Sequence, residues 1–149
     1  MDNVLTDIFN TELVSAAFDV FWEDERIKKL AARDTLVFSL PFESGSVAET
    51  QLLKMLAACK LSAADYHIIQ LAPDEKMAWH LLKSYTQASK IMLLGVLPAQ
   101  LGIAAMMLAN EVNQFDGAQW MPSLSLDQIA QNDALKKQLW VNVFQKVYF

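Results

Sequence analysis

Cysteine is nearly absent from this chain: Cys59 is the only one in 149 residues, which excludes an intramolecular disulfide framework and any multi-cysteine metal site. Glycine is almost as scarce. The four glycines lie far apart, so neither a dinucleotide-binding loop nor a P-loop can be assembled, because both need close-set glycines where backbone approaches phosphate. Charge is also sparse, with 19% charged residues and a net charge of -5. An acidic chain with so few cations is a poor candidate for strong nucleic-acid binding by phosphate neutralisation. The N-terminus, MDNVLTDIFN, lacks the basic-then-apolar order of a signal peptide. Together with the lone cysteine, it leads to the expectation of a cytoplasmic protein.

Apolar residues are what the chain has in abundance. They make up 54% of it and give a mean hydropathy of +0.20, so either the core is large or apolar surface meets a partner. The length suits one domain with a real core. One stretch, residues 91–109 (IMLLGVLPAQLGIAAMMLA), approaches the length of a membrane span. Pro98 and Gln100 at its centre, flanked by Gly95 and Gly102, instead predict a strand leaving into an apolar loop.

Three short apolar runs, residues 35–40 (TLVFSL), 66–71 (YHIIQL) and 90–96 (KIMLLGV), read as strands of a parallel sheet covered on both faces. Between the first two, Ser46 and Glu49 have capping-box spacing before a stripe of Leu52, Leu53 and Leu56. Between the last two, PDEKMAWHLLKSY predicts a helix opening at Pro73 with Ala78, Leu81, Leu82 and Tyr85 on one side. Right-handed crossovers then give neighbouring parallel strands and an α/β architecture. Asp116-Gly117 predicts a hairpin between residues 111–115 and 118–121, since both residues tolerate positive φ. Ser125 and Gln128 repeat the capping-box spacing, and Asn132 or Asp133 caps a last helix whose Leu135, Leu139, Val143 and Val147 share a face. Lys136, Lys137 and Lys146 are expected towards solvent. Residues 1–33 read as an N-terminal helical segment before an α/β body at 34–149, forming a single domain.

Residues suited to catalysis are few. His67 falls inside a strand and His80 inside a helix, each without the neighbouring ligands that would make a metal site. The run Glu23, Asp24, Glu25 reads as a solvated helix face. Cys59 reads as a small buried hydrophobe. No cofactor site emerges. The tryptophans Trp22, Trp79, Trp120 and Trp140 are interaction candidates; of these Trp22, close to Phe18 and Phe21, is the strongest anchor. Adjacent helical positions lie about 100° apart, so these three aromatics do not all face one core. Met106 and Met107, in the apolar stretch 101–108, offer a second contact surface suited to homodimerisation.

The stretch FDGAQWMPSLSLDQIAQNDALKKQLW, residues 115–140, joins a turn, a Pro-Ser-Leu-Ser corner, a capped helical turn and a Trp-bearing basic helix. In that order it resembles the psi subunit of DNA polymerase III, an accessory protein of the bacterial clamp loader. The resemblance implies a three-layer α/β/α sandwich with a mainly parallel central sheet, similar to the uracil-DNA glycosylase fold. It also implies a non-catalytic role, with clamp-loader subunits and a chi-like subunit as partners. The glycosylase loops have as nearest counterparts Gly95-Val96-Leu97-Pro98 and Met121-Pro122-Ser123. Leu97 and Met121 then stand where the enzymes need a water-positioning polar group and an imidazole, and neither can do that work. The N-terminal segment departs from the family, being acidic and helical instead of short, basic and extended. A homo-oligomerising module and, less strongly, a base glycosylase are the alternative expectations.

Overall fold

A computed structural model describes Glu25–Phe149. The chain divides into Met1–Leu30 and Ala31–Phe149; of the first unit the described part contains one short helix, α1 (Glu25–Lys28). The second unit is the α/β body. Its elements run β1 (Thr35–Ser39), α2 (Val47–Ala58), β2 (Tyr66–Gln70), α3 (Trp79–Thr86), β3 (Lys90–Leu94), β4 (Asn113–Phe115), β5 (Ala118–Ser123), α4 (Leu126–Ala130), α5 (Asp133–Leu139), a π-turn (Trp140–Phe144) and α6 (Gln145–Tyr148).

The sheet order is β2-β1-β3-β5-β4. All pairings are parallel except the edge hairpin β4-β5. The three apolar runs are therefore neighbouring parallel strands as expected, with β1 in the middle and wholly buried. In register, Leu36 lies beside Ile91 and Ile91 beside Trp120, while Val37 lies beside Met92 and Met92 beside Met121. Alternation along each strand sends these two rows to opposite faces. Val37, Met92 and Met121 join a core with Leu52 and Leu56 of α2, Ile129 of α4 and Leu135, Leu139 and Val143 of the C-terminal run. On the other face Trp79, at the start of α3, meets Trp120 edge-on at 4.7 Å.

Local chemistry explains the element ends. Ser46 accepts a hydrogen bond from the Glu49 amide at 3.3 Å, but the Glu49 carboxylate turns to the Gly45 amide at 2.7 Å, one residue before the cap. Ser125 and Gln128 form the full reciprocal box. Helix α5 is capped by Asn132, whose Oδ1 accepts from the Leu135 amide at 3.0 Å. Asp116 and Gly117 both take positive φ, 53° and 74°, as a tight primed turn requires. That turn is tied to α3: Trp79 Nε1 donates to Asp116 Oδ2 at 2.8 Å and Lys83 pairs with Asp116 Oδ1 at 3.3 Å. Those two contacts, the Trp79 bond first, hold the Asp116 carboxyl below the usual carboxylate range.

Three sequence expectations are corrected. The helix after β2 does not open at Pro73; it begins six residues later at Trp79, because Ala72 and Glu75 close a turn of their own, with the Ala72 amide donating to Glu75 Oε1 at 2.8 Å. Its buried residues are Trp79, Leu82 and Thr86, and Tyr85 is exposed. In α2 the buried stripe includes Leu52 and Leu56 but not Leu53, which faces out; Met55 and Gln51 take its place. In α5 Lys136 is only partly solvated and pairs with Asp133 at 3.4 Å. The π-turn adds a residue to one helical turn, so Val143 and Phe144 are both buried.

At the amino ends of the parallel strands, Asp34 fastens β1 to β3. Its carbonyl accepts from the amides of Ser89 and Lys90 at 2.9 and 3.0 Å, and its carboxylate is bound by the Ser89 hydroxyl and the Lys90 ammonium. Burial raises the Asp34 carboxyl, but the hydrogen bonds from Lys90 and Ser89 outweigh it, and the net effect is a lowered pKa. A carboxylate depressed in the folded state stabilises the fold above its unfolded pKa of about 3.9, and that contribution is lost as pH falls through the folded value. Melting temperature measured from about pH 6 down to pH 3 should therefore fall more steeply for the wild type than for Asp34→Asn. Equal slopes would remove the assigned role.

Candidate functional site: the strand-end loops and the Trp140 groove

In parallel sheets the loops beyond the carboxyl ends of the strands are where ligands are usually met. Here that edge is formed by the segments after Ser39, Gln70, Leu94 and Ser123. Gly95 leaves β3 with φ 83° and donates its amide to Ser123 O at 3.1 Å. A 3-10 turn, Pro98–Leu101, follows. Its Gln100 is buried and fully engaged: Oε1 accepts from the Leu97 amide at 3.0 Å, and Nε2 donates to the carbonyls of Ala72 and Glu75, both at 2.9 Å. Its own carbonyl accepts from the Met77 amide at 2.9 Å. Gln100 thus binds the loop after β2 to the loop after β3. Gln100→Leu leaves one amide and two carbonyls without these partners and should cost about 2 kcal/mol in urea unfolding. An unchanged midpoint would show that the bridge is dispensable.

Leu97 stands 65% exposed on this loop. Met121-Pro122-Ser123, the nearest counterpart of the second glycosylase loop, lies within β5, and Met121 is buried in the core. The two residues thus have opposite environments, and Met121 falls in the second arm of the hairpin, as its place in residues 118–121 predicts. Ser123 is held by a 2.6 Å hydrogen bond from its hydroxyl to Asn110 Oδ1.

The segment that carries Met106 and Met107 follows the 3-10 turn. It is closed at its base by Asn113, whose side chain bonds both the amide and the carbonyl of Leu108 at 2.9 Å. At its tip Met106 is 99% exposed, Leu108 is exposed, and Met107 is half-buried. Phe18, Phe21 and Trp22 lie outside the described residues.

A second feature was missed from sequence. Between α2 and the C-terminal helical run lies a groove of about 290 Å³, floored by Met55, Ala58, Ile129, Leu139 and Phe144, with Trp140 on one side. Lys54, Lys136 and Gln51 reach it from the two walls. Trp140 packs edge-on against Phe149 at 5.7 Å and is otherwise half-exposed. Trp79 and Trp120 are core residues with satisfied indoles; Trp120 Nε1 donates to Phe115 O at 2.9 Å. The signal in the sequence was Trp140 beside a face that already ran Leu135, Leu139, Val143. What hid it was the π-turn, which a period of 3.6 does not anticipate.

His67 is bonded through Nε2 to Ala31 O at 2.8 Å, and His80 is exposed on α3. Cys59 ends α2, buried, and burial pushes its thiol up to about 12. At neutral pH it is protonated and a weak nucleophile. Among the described residues no cluster of three metal-ligating side chains occurs, and no helix is long and apolar enough to cross a membrane. The stretch 91–109 is instead β3 and the loop after it. Comparison with protein-family models, with curated proteins and with solved structures gives no match, so the functional reading rests on these residues alone.

Proposed function

We propose that this chain is a non-catalytic accessory protein of the bacterial clamp loader, similar to the psi subunit of DNA polymerase III and acting in the cytoplasm through protein contacts. The observation that carries its non-catalytic half is the apolar surface of the segment after β3. Where a hydrolase of this architecture needs a water-holding group, that segment offers solvent Leu97, and farther along Met106 and Leu108. The sequence resemblance over residues 115–140 supplies the clamp-loader half. The mixed, mainly parallel sheet with helical elements against both faces is compatible with the three-layer sandwich, similar to uracil-DNA glycosylases, that the resemblance implies.

In this reading the N-terminal segment meets the loader and the α/β body meets a chi-like subunit. Trp22 is the expected anchor. Trp22→Ala should weaken capture by immobilised, purified clamp loader by about 2 kcal/mol, close to thirtyfold, with little change in melting temperature. A large fall in melting temperature with unchanged capture would place Trp22 in a core instead. Purified protein should also leave uracil-containing and mismatched duplexes intact.

Full exposure of Met106 favours one other reading, a homo-oligomer joined through residues 101–108. Sedimentation equilibrium of the wild type beside Met106→Asp decides it: a dimer that dissociates on substitution supports self-association.

A further inference from the structure

The groove beside Trp140 is distinct from the strand-end loops, and its chemistry is more selective. We propose that it docks an acidic, amphipathic helical segment of a partner protein, with apolar anchors entering between Met55 and Trp140 and carboxylates meeting Lys54 and Lys136. This rests on the reading of the chain as a protein-interaction module, though not on the identity of the partner.

Size is the first argument. At about 290 Å³ the groove falls at the bottom of the range of about 300 to 1,000 Å³ typical of small-molecule sites. It suits a pair of side-chain anchors one helical turn apart, as in helix-in-groove recognition. The floor includes Met55, whose unbranched, polarisable side chain adapts to an incoming apolar group, and a half-exposed tryptophan, a residue type enriched among binding hot spots.

Charge is the second. The two lysines come from opposite walls, Lys54 from α2 and Lys136 from α5, and no carboxylate lines the groove. Lys54 has no ion-pair partner among the described residues. Lys136 has Asp133 at 3.4 Å, but the Asp133 side chain is almost wholly in solvent, and such a pair is weak and readily exchanged. A cationic rim is conspicuous on a chain of net charge -5, because an acidic partner is repelled by the protein as a whole and attracted here. Gln51 adds a polar contact. Its side chain reaches the groove while the residue is largely buried, and its amide makes no hydrogen bond to the described residues. It is available to a helix end or a carboxylate.

The test uses the full chain, isotopically labelled, and two synthetic amphipathic peptides of about four helical turns with one Leu/Phe face. One peptide carries Glu on the flanks, the other Lys. The Glu peptide should shift the Met55 methyl and Trp140 indole N–H resonances saturably, and the Lys peptide should not. Lys54→Glu combined with Lys136→Glu should weaken the Glu peptide by about tenfold or more and admit the Lys peptide, a charge swap that simple loss of structure does not produce. Should that variant fold poorly, the wild type alone decides, since affinity for the Glu peptide must fall steeply as salt is raised from about 0.05 to 0.5 M. The proposal is overturned if Met55 and Trp140 stay unshifted, if both peptides bind alike, or if the same resonances move only with protein concentration, which marks a second copy as the occupant. No clamp-loader component enters the experiment, so its failure is separate from failure of the loader assignment.

Discussion

Trp120→Ala is expected to lower the unfolding free energy by about 3 to 5 kcal/mol, about a fifth or more of the total for a domain with the usual stability of about 5 to 15 kcal/mol. Trp120 is fully buried on β5, between Ile91 of β3 and Asn113 of β4 in register. Its indole donates to Phe115 O at 2.9 Å and meets the rings of Trp79 and Phe115 edge-on at 4.7 and 6.1 Å. Truncation therefore empties a large volume and frees a carbonyl at the hairpin. Trp120→Phe keeps most of the ring and loses the N–H, so its cost should be much smaller, about 1 to 2 kcal/mol. Urea unfolding of both variants gives the comparison. If Trp120→Ala proved as mild as Trp120→Phe, the helix-sheet packing around α3 would be misassigned.

Gly95 should be nearly as sensitive, for a different reason. Its φ of 83° is strained for any residue with a side chain, and a Cβ there would lie 3.1 Å from both Cα and Cβ of Ser125 and 3.3 Å from Leu40 Cδ1. Gly95→Val combines a left-handed backbone cost of about 1 to 2 kcal/mol, greater for a β-branched residue, with displacement of the serine that caps α4, worth about 1 kcal/mol. A total near 3 kcal/mol is expected. Gly102 provides the control, because its φ is 75° but nothing lies within 4 Å of an added Cβ. Gly102→Ala should show only the backbone cost of about 1 kcal/mol. Equal losses at the two glycines would mean that the approach of Ser125 contributes nothing.

The parallel core of the fold was readable from sequence because its signals are local. TLVFSL, YHIIQL and KIMLLGV are short, apolar on both faces and bounded by polar or turn residues, and they became β1, β2 and β3 with ends shifted by one or two residues. The Asp116-Gly117 hairpin and the Ser125 box were legible for the same reason. Pro73 misled because a proline followed by acids suits a first helical turn, yet Gln100, 27 positions away, takes the carbonyls of Ala72 and Glu75 and draws that segment into the loop. No local pattern carries that bond. Leu53 misled because a leucine at helical spacing reads as core, while the face is set by what packs on it. The groove was harder still: it needs Lys54 and Lys136, 82 positions apart, brought to one surface by the packing of α2 against the C-terminal helices. Met106, in the apolar stretch 101–108, is exposed, and the bonds between Asn113 and Leu108 close the segment behind it.

The proposed role, binding to the clamp loader, is measured by titration calorimetry. The purified full-length protein is titrated into the clamp loader reconstituted from the same source at moderate salt. Saturable heat is expected, with a Kd of about 1 µM or tighter, corresponding to about -8 kcal/mol. Absence of binding at tens of times that concentration, with both samples folded, would contradict it.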